Sequence, residues 1–69
     1  MEQFLAKVAE ILEVPAVTPD LDFRTVDDWD SMKGFMLLVM LENDYGRPMS
    51  VETFLQVNTV GELARAAGL

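Results

Sequence analysis

The absence of cysteine and histidine from a chain of 69 residues constrains its fold more than any other feature of the sequence. Without cysteine, the chain has no disulfides and no thiolate zinc sites that could stabilise a small domain. A domain of this size buries only about 60% of the surface that its unfolded chain exposes. We therefore expect one domain over residues 1–69, held together by packing between helices, with no deep catalytic cavity and no metal site.

The charge and the hydrophobic pattern exclude several classes of partner. Twelve acidic and five basic side chains give a formal net charge of -7, which repels the phosphate backbone of nucleic acids and favours proteins with basic patches. The longest apolar run, residues 35–41, is far shorter than the ~20 residues that a membrane-spanning helix needs. No basic segment precedes an apolar run at the N-terminus, so no secretory signal is expected. We expect a cytoplasmic monomer that binds neither nucleic acid nor membranes.

The first third of the chain predicts a helix followed by a long loop. Apolar residues recur at offsets of one, three and four from Glu2 to Glu13, which predicts the first helix. Pro15 should end it, because proline disfavours helical geometry at the residue before it. Residues 14–30 contain two prolines and five aspartates and have no sustained period. A loop of this length is either functional or a packed connector, and the sequence leaves both open. Four apolar side chains are expected to pin it to the helices: Leu21, Phe23, Val26 and Trp29.

The rest of the chain predicts three more helices. The second should run from Ser31 to Tyr45 and end at Gly46, which can take the left-handed conformation that closes a helix. Ser50 can cap a short third helix that continues to about Leu55.

The last helix has a recognisable start. Thr59 and Glu62 fit a capping box, in which the threonine accepts a hydrogen bond from a first-turn amide and the glutamate reaches back. This helix should end near Gly68. The predicted fold is therefore an all-α four-helix bundle, with three main helices, one short helix, and a long loop between helices 1 and 2.

The second helix carries more apolar surface than one core requires. At about 100° per residue, its core-facing side holds Gly34, Leu37, Leu38, Leu41 and Tyr45. A second apolar stripe, here called the methionine stripe, lies about 90° to 180° round the helix and consists of Met32, Phe35, Met36 and Val39. Because 69 residues cannot surround a central helix, we expect this stripe to remain available to partners, where flexible methionines suit more than one shape. The alternative is that the long loop covers it with Phe23 and Trp29.

Ser31 lies where the long loop turns into the second helix, and three roles compete for it. A catalytic serine needs a base within reach, usually histidine; the chain has none, and Lys33 is expected on the exposed side of the helix. No enzymatic activity is therefore expected. As a helix cap Ser31 would be ordinary, since serine and aspartate are both favoured there. As an attachment point it would present a hydroxyl where a phosphodiester meets free backbone amides and the positive end of the helix dipole.

Three segments around Ser31 and at the helix ends form a recognisable combination: Asp27-Asp28-Trp29-Asp30-Ser31-Met32, Leu41-Glu42-Asn43-Asp44-Tyr45-Gly46 and Thr59-Val60-Gly61-Glu62-Leu63. At these spacings they resemble acyl and peptidyl carrier proteins, and the similarity covers nearly the whole chain. It implies that Ser31 bears 4'-phosphopantetheine, transferred from coenzyme A by a phosphopantetheinyl transferase. Asp30 would help to position the serine for that enzyme, and Met32 would contact partners beside the arm. The arm would supply the thiol that the sequence lacks and hold an acyl or aminoacyl group as a thioester.

The resemblance also implies further partners: an acyl- or aminoacyl-loading enzyme and a downstream synthase or transferase. Carriers of fatty-acid synthesis are similar but set several acidic residues along the recognition face of the second helix. Here Lys33, Met36 and Asn43 stand where acid might be expected, and only Glu42 remains near that face. We therefore expect a free-standing carrier of polyketide, nonribosomal-peptide or related biosynthesis. The expected partner face is Met32, Phe35, Met36, Val39 and Glu42. The alternatives are a carrier of fatty-acid synthesis and a cofactor-free helical interaction module.

Overall fold

Four α-helices and one turn of 3-10 helix form the regular structure of the chain in the computed structural model, which describes residues 1–69. The α-helices are α1 (Glu2–Leu12), α2 (Ser31–Tyr45), α3 (Val51–Gln56) and α4 (Val60–Ala66). There is no β-sheet, only an isolated antiparallel bridge between Asp22 and Thr59. None of the helices has both the length and the hydropathy that a membrane crossing requires. The all-α prediction, with its short third helix and long first connection, is confirmed.

The helix ends follow local chemistry except at the end of α1. α2 ends at Tyr45 as predicted, and Gly46 has the expected left-handed conformation with φ 64°. α1 ends at Leu12, one residue earlier than predicted. Glu13 itself takes the left-handed conformation (φ 61°, ψ 43°), and its amide bonds back to the carbonyls of Ala9 and Glu10. A non-glycine residue is uncommon in this region of backbone space, so helical periodicity could not indicate this ending.

The long loop is packed against the bundle rather than loose. It contains the 3-10 turn Phe23–Thr25, which Asp22 caps by accepting a hydrogen bond from the amide of Arg24 at 3.0 Å. Phe23 is fully buried, and its ring centroid lies 5.5 Å from that of Trp29 and 5.4 Å from that of Phe54. Phe23 therefore pins the loop as predicted. Three other apolar loop residues, half-buried, pack against the core: Leu21, Val26 and Trp29.

One hydrophobic core joins the four helices. On α2 the predicted core residues Leu37 and Leu41 are fully buried, and Leu38 is half-buried. Met40 is also buried, although the helical wheel did not place it on the core side. The reason is that α1 covers this edge of α2: one turn after Met40, Asp44 accepts a hydrogen bond from Lys7 of α1 at 3.0 Å.

The capping box at the start of α4 is confirmed, and it gives the fold a pH-dependent contact. Thr59 Oγ1 accepts a hydrogen bond from the amide of Glu62, and Glu62 Oε1 accepts from the amides of Asn58 at 2.8 Å and Thr59 at 3.2 Å. These backbone donors lower the pKa of the Glu62 carboxyl below its ordinary value of 4.5. Because the folded pKa is the lower one, the contribution to stability is present above pH 4.5 and is lost as the pH falls through the folded pKa.

A Glu62→Gln variant should expose this dependence. We expect it to be less stable than the wild type at pH 7, because the neutral amide accepts hydrogen bonds more weakly than a carboxylate. The difference should shrink as the pH falls below 4.5, where the wild-type carboxyl also becomes neutral. Urea denaturation of both proteins between pH 7 and pH 3 measures it. A difference that does not vary with pH would show that the carboxylate charge has no part in the cap.

Candidate functional site

Ser31 is the first residue of α2, and the residue that caps the helix is Asp30. Asp30 has extended backbone geometry, and its Oδ1 accepts a hydrogen bond from the amide of Lys33 at 2.9 Å. The interpretation of Ser31 as the helix cap is therefore wrong, since the neighbouring aspartate fills that role. The Ser31 side chain is exposed and makes no hydrogen bond with the rest of the chain. Its hydroxyl is free at the positive end of a helix of 15 residues.

Ser50, the only other serine, is in a different position. It caps α3: its Oγ accepts a hydrogen bond from the amide of Thr53 at 3.1 Å and donates one to Thr53 Oγ1 at 3.0 Å. Esterification of this oxygen would remove its hydrogen atom and crowd the cap. Of the two serine hydroxyls, only that of Ser31 is both exposed and without a structural role.

Lys33 does not lie on the exposed side of α2, contrary to the sequence-based expectation. The residue is only 6% exposed. Its Nζ donates a hydrogen bond to the carbonyl of Asp28 at 2.8 Å and lies 3.8 Å from Glu13 Oε1. The expectation of an exposed Lys33 was wrong because the long loop and the end of α1 close over that position. Lys33 is therefore no part of a recognition face and is tied to the loop that leads into Ser31.

A groove of about 320 Å³ begins at Ser31 and runs between α2 and α3. Its lining is mostly hydrophobic and comprises Arg24, Trp29, Ser31, Gly34, Phe35, Leu38, Val51, Phe54 and Leu55. Gly34 allows Trp29 to lie close to α2, because a Cβ at this position would be 3.3 Å from Trp29 Cζ2 and 3.4 Å from Phe54 Cε2. A side chain at this position would require the rings of Trp29 and Phe54 to shift by a few tenths of an ångström.

Arg24 holds one wall of this groove. Its guanidinium donates hydrogen bonds to the carbonyls of Val57 and Phe54, the latter at 2.7 Å, and lies 4.6 Å from the ring centroid of Phe23. These contacts fix the end of α3, whose exposed Val51 and Leu55 flank the groove. Sequence reasoning did not identify Arg24, Val51 or Leu55 as part of a site. Nothing in the sequence of the loop indicated that Arg24 has a structural role. Only the spacing of four residues between Val51 and Leu55 could have indicated an exposed apolar edge.

The methionine stripe is largely uncovered. Met32 is 63% exposed, Phe35 62% and Met36 44%. The alternative that the loop covers the stripe is therefore wrong, because Trp29 packs on Phe23 and Gly34 instead. Val39, the last member of the stripe, is half-buried and lines a second groove of about 370 Å³ towards Ile11 of α1. Glu42 is exposed, and Asn43, which also lines that groove, is exposed as well.

Comparison with known proteins identifies one family. The family model described as the phosphopantetheine attachment site matches residues 2–67. Neither the curated proteins nor the solved structures gave a significant match. Domains of this family carry 4'-phosphopantetheine covalently on a serine and are not themselves catalytic. The free hydroxyl at the start of α2 fits such an attachment. Since the match spans nearly the whole chain, this protein belongs to the phosphopantetheine attachment family and is an all-α carrier of the acyl and peptidyl carrier type.

Proposed function

We propose that Ser31 is the serine that carries 4'-phosphopantetheine and that residues 1–69 act as one carrier domain. The observation that supports this most is the contrast between the two serines: the Ser31 hydroxyl is exposed and unbonded, whereas the Ser50 hydroxyl caps α3. With the arm in place, its thiol holds acyl or aminoacyl groups as thioesters. The partners would be a phosphopantetheinyl transferase, an enzyme that loads the acyl or aminoacyl group, and a downstream synthase or transferase.

The chemistry of the modification assigns a limited role to this chain. Ser31 Oγ forms a bond to the phosphorus of coenzyme A that bears the pantetheine, the phosphoanhydride bond breaks, and adenosine 3',5'-bisphosphate leaves. We assign the base that takes the proton to the transferase, because no side chain of this chain is hydrogen-bonded to the Ser31 hydroxyl. The start of α2 supplies amides of the first turn and the helix dipole, both of which favour a phosphodiester.

Exposed carboxylates near Ser31 should prevent the side chains of this domain from binding the phosphodiester. Asp27, Asp28 and Asp30 all lie within four residues of Ser31 and are exposed. Like charges repel a phosphate, so the arm should project away from the domain rather than fold onto these side chains. A mobile arm is what a carrier needs in order to reach several active sites.

The pathway we propose is polyketide, nonribosomal-peptide or related biosynthesis rather than fatty-acid synthesis. Lys33 is buried, so its charge is no evidence for either pathway. Met36 and Asn43, however, are exposed where acidic residues might be expected. Partners of this carrier would then dock mainly on apolar side chains, with Glu42 at the edge of the contact. We propose that the partner face consists of Met32, Phe35, Met36, Val39 and Glu42. Because coenzyme A supplies the arm, we place the modification in the cytoplasm.

Coexpression with a broad-specificity phosphopantetheinyl transferase tests the function. The intact mass should increase by one phosphopantetheinyl group. Because the chain has no cysteine, a thiol reagent should detect one thiol per modified chain and none in the unmodified protein. A native chain that gains neither the mass nor the thiol, under conditions that modify a known carrier, would contradict the proposal.

Met36→Glu tests the partner face. Met36 is 44% exposed, so the substitution should change the free energy of unfolding by less than about 0.5 kcal/mol. Turnover by a partner enzyme should fall about tenfold in kcat/KM, which corresponds to about 1.4 kcal/mol. Leu69→Glu is the matched control, since Leu69 is 42% exposed and lines neither groove. Val39→Glu is a poorer probe, because Val39 is half-buried. Equal turnover by the Met36 and Leu69 variants would exclude Met36 from the interface.

A further inference from the structure

Lys33 forms hydrogen bonds with the segment before Ser31 through both its backbone amide and its side chain. Its backbone amide donates to Asp30 Oδ1 at 2.9 Å, and its Nζ donates to the carbonyl of Asp28 at 2.8 Å. Its Nζ also lies 3.8 Å from the carboxylate of Glu13, the residue with the left-handed backbone that closes α1. Lys33 thus connects three parts of the chain: the end of α1, residues 28–30 and the first turn of α2.

The Lys33 side chain is largely buried, and a buried ion pair is by itself weak evidence for a gain in stability. Lys33 is 6% exposed, whereas Glu13, its closest acidic partner, has a side chain that is 77% exposed. Removing a cation from water costs free energy that a single neutral carbonyl and a distant carboxylate recover only in part. Replacing buried charged groups with apolar side chains of similar volume is often neutral or stabilising. The buried charge therefore indicates a role in fixing the segment that it holds.

The Ser31 hydroxyl needs such a constraint, because it has no hydrogen bond of its own. The position of its Cα and Cβ atoms is set by the backbone that enters α2. Trp29, which packs against Gly34, holds this backbone from the groove side, and the ammonium group of Lys33 holds it at Asp28. A transferase must bind this segment in one geometry, and small misplacements of a reacting group reduce rates strongly.

We infer that Lys33 is a positioning residue for the phosphopantetheinyl transferase reaction: it preorders segment 28–30 so that Ser31 Oγ is presented to the enzyme. This inference rests on the proposed function, in which Ser31 is the acceptor. Lys33 does not touch the cofactor. It acts through the carbonyl of Asp28, and its effect is to reduce the ordering that the transferase must impose on binding.

Lys33→Met tests the inference, because methionine keeps most of the buried stem and removes the donor. The matched control is Lys7→Met, since Lys7 is the only other lysine, and its salt bridge to Asp44 lies between α1 and the far end of α2. With the carrier as the varied substrate, we expect kcat/KM of the transferase to fall about tenfold for Lys33→Met, mainly through a higher KM. Its unfolding temperature should be unchanged or higher. Lys7→Met should be modified as fast as the wild type.

The second readout is amide hydrogen exchange at residues 28–31, which should be faster in Lys33→Met and unchanged in Lys7→Met. If Lys33 has only a structural role, the modification rate should fall only in proportion to the folded fraction, and that result would overturn the inference. Equal KM values for the wild type and both variants would overturn it as well. A wild type that is not modified overturns the proposed function together with the inference. If Lys33→Met does not fold, Lys33→Leu replaces it, and the same comparison of KM with unfolding temperature decides.

Discussion

Ser31→Ala is expected to abolish the phosphopantetheine adduct while leaving the fold intact. Asp30, not Ser31, accepts the capping hydrogen bond of α2, so the loss of the Ser31 hydroxyl removes no contact. The free energy of unfolding should therefore change by less than about 0.5 kcal/mol, as for ordinary surface substitutions. Intact-mass measurement after coexpression with the transferase should show only the unmodified chain.

Ser50→Ala is the matched control and should behave in the opposite way. It removes the cap of α3 and should cost about 0.5 to 2 kcal/mol of stability, yet the adduct should form fully on the folded protein. The two variants thus differ in opposite ways: Ser31→Ala loses the modification and keeps its stability, whereas Ser50→Ala is modified but less stable. An adduct of full stoichiometry on Ser31→Ala would exclude Ser31 as the acceptor.

Phe23→Ala is expected to have the largest effect on stability. Its fully buried ring lies between Trp29, Phe54 and the guanidinium of Arg24. Replacing a buried phenylalanine with alanine typically costs 3–5 kcal/mol, roughly, because the cavity is only partly filled by relaxation. Domains have roughly 0.05–0.15 kcal/mol of stability per residue, so a chain this short has little reserve. We expect a large unfolded fraction at room temperature, measured by circular dichroism during urea and thermal denaturation.

The effect of Phe23→Ala should also reach the proposed attachment site at Ser31. Phe23 supports Trp29, and Trp29 packs against Gly34 in the first turns of α2. Modification of Ser31 should therefore fall with the folded fraction. Phe35→Ala is the control for stability alone, because the Phe35 ring is exposed and its loss should barely change the free energy of unfolding. Cooperative unfolding of Phe23→Ala at the wild-type temperature would contradict the role of Phe23 in pinning the loop.

The elements that could be predicted are those that depend on neighbouring residues. Gly46 ends α2, and Thr59 with Glu62 caps α4, because such signals act within one turn of helix. The end of α1 could not be predicted, since Glu13 closes it in a conformation that glutamate seldom adopts. Two residues side by side, Asp30 and Ser31, are both good caps, and only the structure showed which of them accepts the hydrogen bond.

The parts of the site that the sequence missed depend on distant contacts. Arg24 bonds to carbonyls 30 and 33 residues away, and no local pattern indicates such pairs. The burial of Lys33 could not be predicted, because it depends on contacts with the carbonyl of Asp28 and with Glu13, which the local pattern of α2 does not show. The exposed methionine stripe was predicted from the helical wheel of α2, since a short chain cannot bury every side of a helix.

The position of the adduct is the most direct test of the central claim. Trypsin cleaves after lysine and arginine, so Ser31 falls in the peptide of residues 25–33, whereas Ser50 lies beyond Lys33 in a different peptide. Fragmentation mass spectrometry of the digested, transferase-treated protein should find the phosphopantetheinyl group in the first peptide, on Ser31. An adduct on Ser50, or an unmodified 25–33 peptide from a chain whose intact mass has increased, would contradict the assignment of Ser31 as the attachment point.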